Sequence, residues 1–229
     1  MKYAKIVTGR FMDRPNRFIA HVQIEGKTET VHVKNTGRCR ELLVPGCIVI
    51  LEDCRGVATR KTGFDIIAVY KKTESGEILI NMDSQAPNKV VLEWLGQQEV
   101  FGVKPEFTYG NSRIDFYFEK DSEGQTKKCL MEVKGCTLEF DGIGYFPDAP
   151  TERGVKHLKE LAQAQQNGFE CYIAFVVQIP GVTEVRPNLQ THAEFGKALE
   201  DAKKAGVQIL CLCCDVQEDG LKIISPEKL

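Results

Sequence analysis

RIDFYFEKDSEGQTKKCLMEVKG, residues 113–135, consists of two apolar runs joined by a charged connector, and each run carries charges that a buried strand should lack. Alternate residues of an extended strand share a face. Ile114, Phe116 and Phe118 therefore point one way, and Arg113, Asp115 and Tyr117 the other. In the second run Met131 and Val133 read as core, with Glu132 and Lys134 together on the opposite face. The connector from Glu119 to Lys128 is polar, contains Gly124 and suits an antiparallel hairpin with a long loop. Pairing the two strands brings Asp115 beside Glu132 and Lys134.

That set, an Asp and then Glu-x-Lys after sixteen residues, has a chemical logic. Two carboxylates offer hard oxygens to Mg²⁺ or Mn²⁺, and Mg²⁺ binds through one or two carboxylates while keeping positions for water and phosphate. Such an ion acidifies a bound water and offsets charge on a phosphodiester. Lys134 can orient that water or stabilise the transition state by its fixed charge. Asp115 and Glu132 are thus the candidate metal ligands, and Asp115, Glu132 and Lys134 the candidate catalytic groups. The alternative is a surface hairpin whose outward face is merely solvated.

At 229 residues the chain can form one large domain or two small ones, and its 42% hydrophobic and 27% charged residues are ordinary for a soluble globular protein. No apolar run approaches the length of a membrane span and no basic-then-apolar leader opens the sequence. We therefore expect a cytoplasmic protein without membrane partners. Nine cysteines, an odd count without CxxC pairs near His, fit reduced, buried thiols better than disulfides or a zinc site. Net charge is −2, yet residues 1–83 carry 14 Lys and Arg against 10 Asp and Glu, and the first 40 residues nine against three. A basic part next to an acidic one suits phosphate binding beside metal binding, and also lies within the scatter of ordinary surfaces.

Along the chain, 4–12, 17–24, 28–33, 47–52, 64–71 and 78–81 read as strands, with a turn at Asp13–Asn16. Short strands with little helix between them favour a small barrel such as the OB type, which commonly grips nucleic acid. Between them, Asn35-Thr36-Gly37 with Arg38 and Arg40 reads either as a phosphate cradle or as a plain loop with one helical turn. The character changes near 83–87, dividing 1–83 from 84–229. Residues 88–101 then have a helical period, burying Val91, Leu92 and Leu95, with Glu93 amid them. A strand at 104–109 leads to the hairpin, and 137–150 is expected to be a loop. Thr151 caps a helix ending at Gly168, with Val155, Leu158 and Leu161 inward; Arg153 and Lys156 lie on the far side, facing a phosphate backbone or simply solvent. The strand at 170–178, the helix at 195–205 and the strand at 207–214 imply parallel crossovers. The whole is a mixed α/β chain.

The order helix, three strands, helix, strand, with D…ExK on the second and third strands, resembles the PD-(D/E)XK nuclease superfamily, whose core is αβββαβ with a mixed sheet. Its first helix often adds a glutamate, a position that Glu93 matches. RPNRF (14–18), NTGR (35–38), SRIDF (112–116), MEVKG (131–135), YFPDA (145–149) and TERGVKHLKEL (151–161) are together similar to the sugar fermentation stimulation protein A family, over nearly the whole chain. That resemblance implies an amino-terminal OB-like β-barrel, a nuclease-like carboxy-terminal domain, cytoplasmic location and non-specific DNA binding, with a role in regulating sugar metabolism. It puts the metal at Asp115 and Glu132, with Lys134 beside them and Glu93 as a further catalytic candidate. DNA-binding candidates are Arg14, Arg17, Asn35, Arg38, Arg40, Arg153 and Lys156. Two functions follow: a Mg²⁺-dependent phosphodiesterase acting on DNA, or a DNA-binding regulator that keeps only the nuclease fold. A sugar-binding role has no pattern of residues behind it, and oligomeric state is left open, a homodimer included.

Overall fold

The computed structural model describes residues 1–35, 37–74, 76–224 and 229. They form two compact units. The first is Met1–Ala86 together with Gln178–Gly181 and Cys214–Lys222; the second is Pro87–Val177, Val182–Cys213 and the residues from Ile223 onward.

The first unit carries β1 (Ile6–Asn16), β2 (Ile19–Ile24), β3 (Lys27–Val33), β4 (Ile48–Asp53), β5 (Phe64–Thr73) and β6 (Gly76–Asn81). Their order is β3-β2-β1-β4-β5-β6, and a parallel pairing of His32 with Asp65 and Val33 with Ile66 joins β3 to β5 and closes the barrel. This five-stranded closure is the OB arrangement. Alternation supplies its core: Val22, Val31, Val49, Leu51, Ile66 and Val69 are completely buried. At Gly9 an added Cβ would lie 2.4 Å from Val22, so only glycine lets β1 approach β2 there. β1 runs on through the expected turn at 13–16, bending by register shifts between Phe11 and Asn16 that accommodate Pro15.

After β6 come α1 (Ala86–Leu95), β7 (Phe101–Tyr109), β8 (Ser112–Ser122), β9 (Gln125–Cys136), β10 (Leu138–Phe140), β11 (Ile143–Phe146), α2 (Glu152–Gln166), β12 (Glu170–Val177), β13 (Val185–Pro187), α3 (Leu189–Lys204), β14 (Gln208–Gln217) and β15 (Gly220–Ile223); all but Ala86, the end of β14 and most of β15 belong to the second unit. The large sheet has the order β15-β14-β12-β9-β8-β7, antiparallel from β7 to β9 and parallel from β9 through β12 to β14. Taking the helices with the strands of this sheet, the order is α1, β7, β8, β9, α2, β12, the expected αβββαβ, followed by α3 and two further strands, β14 and β15.

Three expectations change. The 119–128 connector is strand rather than loop: Ser122 pairs with Gln125 across a two-residue turn in which Glu123 and Gly124 both have positive φ. The first helix ends at Leu95, before Gly96, and buries Val90, Val91, Trp94 and Leu95, leaving Leu92 exposed. Residues 137–150 contain the β10–β11 hairpin, whose second strand pairs with β13 in a small sheet. The helix start at Thr151 stands: its Oγ1 accepts the Gly154 N–H at 3.1 Å. All nine cysteines are thiols, and burial pushes those of Cys129, Cys136 and Cys171 up to about 12.

Candidate active site

The ladder between β8 and β9 stops at Phe116↔Met131, one residue short of Asp115 and Glu132. There the side chain of Asp115 takes over from the backbone. Its Oδ2 accepts the Val133 N–H at 2.7 Å, and its Oδ1 accepts from Asn88 Nδ2 on α1 at 2.8 Å. On the other edge of β9, Glu132 pairs with Ile173 and Lys134 with Phe175 of β12. Glu132 is consequently only 2% exposed.

A buried carboxylate must be paired. Glu132 Oε1 accepts from Lys134 Nζ at 2.6 Å and also meets His157 Nδ1 from α2. Its other oxygen, Oε2, is buried with no hydrogen-bond partner. His157 is itself 3% exposed, and its Nε2 lies 3.3 Å from Arg153 Nε one turn earlier on α2. A line of four side chains, Arg153, His157, Glu132 and Lys134, thus runs through the sheet and its covering helix.

The two acids differ electrostatically. Burial works against ionisation of Glu132, but the bond from His157 and the charge of Lys134 outweigh it and hold the carboxyl below its usual range. For Asp115 burial, reinforced by repulsion from Glu132, wins over the bonds from Val133 and Asn88 and holds the carboxyl above its usual range. The same pair of strands thus shifts its two acids in opposite directions.

The structure brings Asp115, Glu132 and Lys134 together. From α1 it is Asn88 that reaches Asp115; Glu93 is exposed, roughly 140° further round the helix. His157 and Asn88 carry no mark in the sequence reading. The sign for His157 was its place in the apolar face of α2, between Gly154 and Leu161, where a polar side chain needs a buried partner.

The arginines separate by environment. All four terminal N–H groups of Arg14 go to main-chain carbonyls, those of Arg17, Asn35, Gly37 and Arg38, at 2.7–3.1 Å. Asn35 caps the same loop, its Oδ1 accepting from Gly37 N at 2.7 Å and its Nδ2 donating to Met82 O. Both residues hold the loop from half-buried positions, and Thr36 lies outside the described residues. Arg17, Arg38 and Arg40 are exposed, Arg17 lying over the ring of the exposed Phe18. In the second unit Arg153 and Lys156 line, with Arg113 and His157, a cleft of about 480 Å³. Lys156 also donates to Asn111 O and faces Glu160.

Two further groups bring three ligand-type atoms together among the described residues. Glu52, Cys54 and Asp65 already face Lys34, Arg60 and His32, and Glu152 and Glu194 beside His192 are largely exposed.

A family profile for the sugar fermentation stimulation protein RE domain matches residues 85–220, and one for the SfsA N-terminal OB domain matches residues 12–81. The chain belongs to the sugar fermentation stimulation protein family. A family homologue from Desulfitobacterium hafniense (strain Y51) is 53% identical over 225 residues, covering 97% of this chain and 95% of that protein. Another SfsA homologue, from Ruminiclostridium cellulolyticum, is 51% identical over 227 residues, covering 97% and 96%. Among solved structures, Pyrococcus furiosus SfsA in complex with Ca²⁺ matches with a TM-score of 0.83 at 25% identity, over 98% of this chain and 96% of that one. Both the OB barrel and the mixed-sheet unit are therefore SfsA features. No helix among the described residues is long and apolar enough to cross a membrane.

Proposed function

We propose that the chain binds DNA without sequence preference and hydrolyses its phosphodiesters at a centre formed by Asp115, Glu132 and Lys134, with Mg²⁺ or Mn²⁺ as cofactor. The observation that carries this reading is the buried, unpartnered Oε2 of Glu132, on a carboxylate close enough for its charge to act on Asp115. A lone carboxylate oxygen kept from water costs stability unless something cationic meets it. The donor set, two carboxylates with hard oxygens, fits a small divalent ion. The solved Pyrococcus furiosus relative holding Ca²⁺ adds support for a divalent cation in the family.

Asp115 and Glu132 would hold the ion. When bound, it supplies a Lewis acid that lowers the pKa of a coordinated water and offsets phosphate charge. Lys134 spends one of its three donors on Glu132 and is slightly exposed, leaving it able to face a phosphate oxygen or the attacking water. Asn88 and the Val133 N–H keep Asp115 in place. The exposed Arg17, Arg38 and Arg40 on the first unit, and Arg113 and Lys156 at the cleft on the second, offer phosphate contacts of the kind that position a nucleic acid without reading its bases.

The test is incubation of purified chain with single- and double-stranded DNA and Mg²⁺ or Mn²⁺. Cleavage is expected, lost on chelation and reduced about 10²–10³-fold in Lys134→Ala. Intact DNA under every condition, with binding retained, would leave the regulator that keeps the fold without the chemistry.

A further inference from the structure

Glu132 is gripped at one oxygen and open at the other. Oε1 meets both Lys134 Nζ and His157 Nδ1, while Oε2 is buried without a partner. Arginine has only donors, so the Arg153 Nε contact makes His157 Nε2 an acceptor and puts the ring proton on Nδ1. The imidazole therefore donates to Glu132 through Nδ1. His157 is buried, and Arg153 reaches it from an exposed position on the same helix.

We propose that His157 is the positioning residue that makes Glu132 a one-oxygen ligand, and so sets the preference of this centre for a small octahedral cation over Ca²⁺. The proposal rests on the cation reading above. Mg²⁺ demands near-octahedral geometry and keeps several waters, taking single oxygens from one or two carboxylates; Ca²⁺ accepts six to eight oxygens and readily takes both from one carboxylate. With Oε1 committed to two donors, Glu132 cannot turn to offer both oxygens without breaking a buried hydrogen bond. Asp115 is restrained in the same sense, since each of its oxygens already accepts one bond. Outer groups of this kind typically alter metal affinity 10–100-fold when removed.

The experiment is calorimetric titration of the full chain with Mg²⁺, Mn²⁺ and Ca²⁺, needing no catalysis, on the parent and on His157→Leu, His157→Asn and His157→Gln, each checked for folding by circular dichroism. In His157→Leu the ratio of Mg²⁺ to Ca²⁺ affinity is expected to fall about tenfold or more. His157→Asn, whose amide N–H stands where Nδ1–H did, is expected to restore most of it, and His157→Gln, which places its amide toward Arg153, is not. A folded His157→Leu with the parent's ratio overturns the proposal, as does equal selectivity of the Asn and Gln variants, a comparison that stands even if Leu fails to fold. A parent chain that binds none of the three cations contradicts the cation reading itself and this inference with it.

Discussion

Asp115 and Glu132 sit on adjacent strands within one residue of the same ladder position, yet they contribute oppositely to stability. Glu132 is held below its ordinary value of 4.5, so its ionised form stabilises the fold above that pH, and this contribution is lost as pH falls through its lowered folded value. Asp115 is held above its ordinary value of 3.8, so its ionised form costs stability at neutral pH, and the cost is relieved as pH falls through the raised value. Asp115→Asn is therefore expected to unfold at higher denaturant than the parent at pH 7, with the advantage shrinking toward acid, while cleavage is abolished. Glu132→Gln, which strips a buried partner from Lys134 and His157, is expected to lose about 3 kcal/mol at pH 7. Urea titrations at pH 7 and pH 4 check both signs. An Asp115→Asn variant less stable than the parent at pH 7 would mean that the two acids are not in repulsive contact.

Among the elements, α2 matters most, because it carries His157 to Glu132 and its Thr151 cap fixes where the helix starts. Thr151→Ala is expected to cost about 1 kcal/mol in a denaturant titration. In the first unit, Arg14→Lys is expected to destabilise the barrel by about 2 kcal/mol, because one ammonium cannot serve the four carbonyls that the guanidinium now holds. How far the sequence spoke depends on which force governs each element. Barrel strands and the β8–β9 pair follow from alternation because burial decides them. The two-residue turn stayed hidden because Glu-Gly is a weaker turn signal than Asn-Gly, so its charged flanks resembled a loop. The β10–β11–β13 sheet was invisible since half of its pairing depends on residues 185–187, forty positions away. That Asp115, Glu132 and Lys134 lie close together was legible from their spacing. Asn88 was not, since it is placed by tertiary packing that no local pattern encodes, and His157 showed only as a polar residue on the apolar face of α2.

For the molecule as a whole, a net charge of −2 does not announce a nucleic-acid partner. Any DNA binding must come from local basic surface, and its affinity is expected to fall linearly with the logarithm of salt concentration. Replacing Arg17, Arg38 or Arg40 by Ala is expected to lower that slope by about 0.9 for each phosphate contact removed, which filter binding at several salt concentrations measures directly. An unchanged slope in all three would move the contact surface away from the barrel loop. The central claim is narrower: the open oxygen of Glu132 beside Asp115 exists to meet a cation. The most direct measurement is an anomalous difference map from crystals soaked in Mn²⁺. A peak within bonding distance of Glu132 Oε2 and an Asp115 oxygen is the expected result; no peak there while Mn²⁺ is bound elsewhere on the molecule would contradict it.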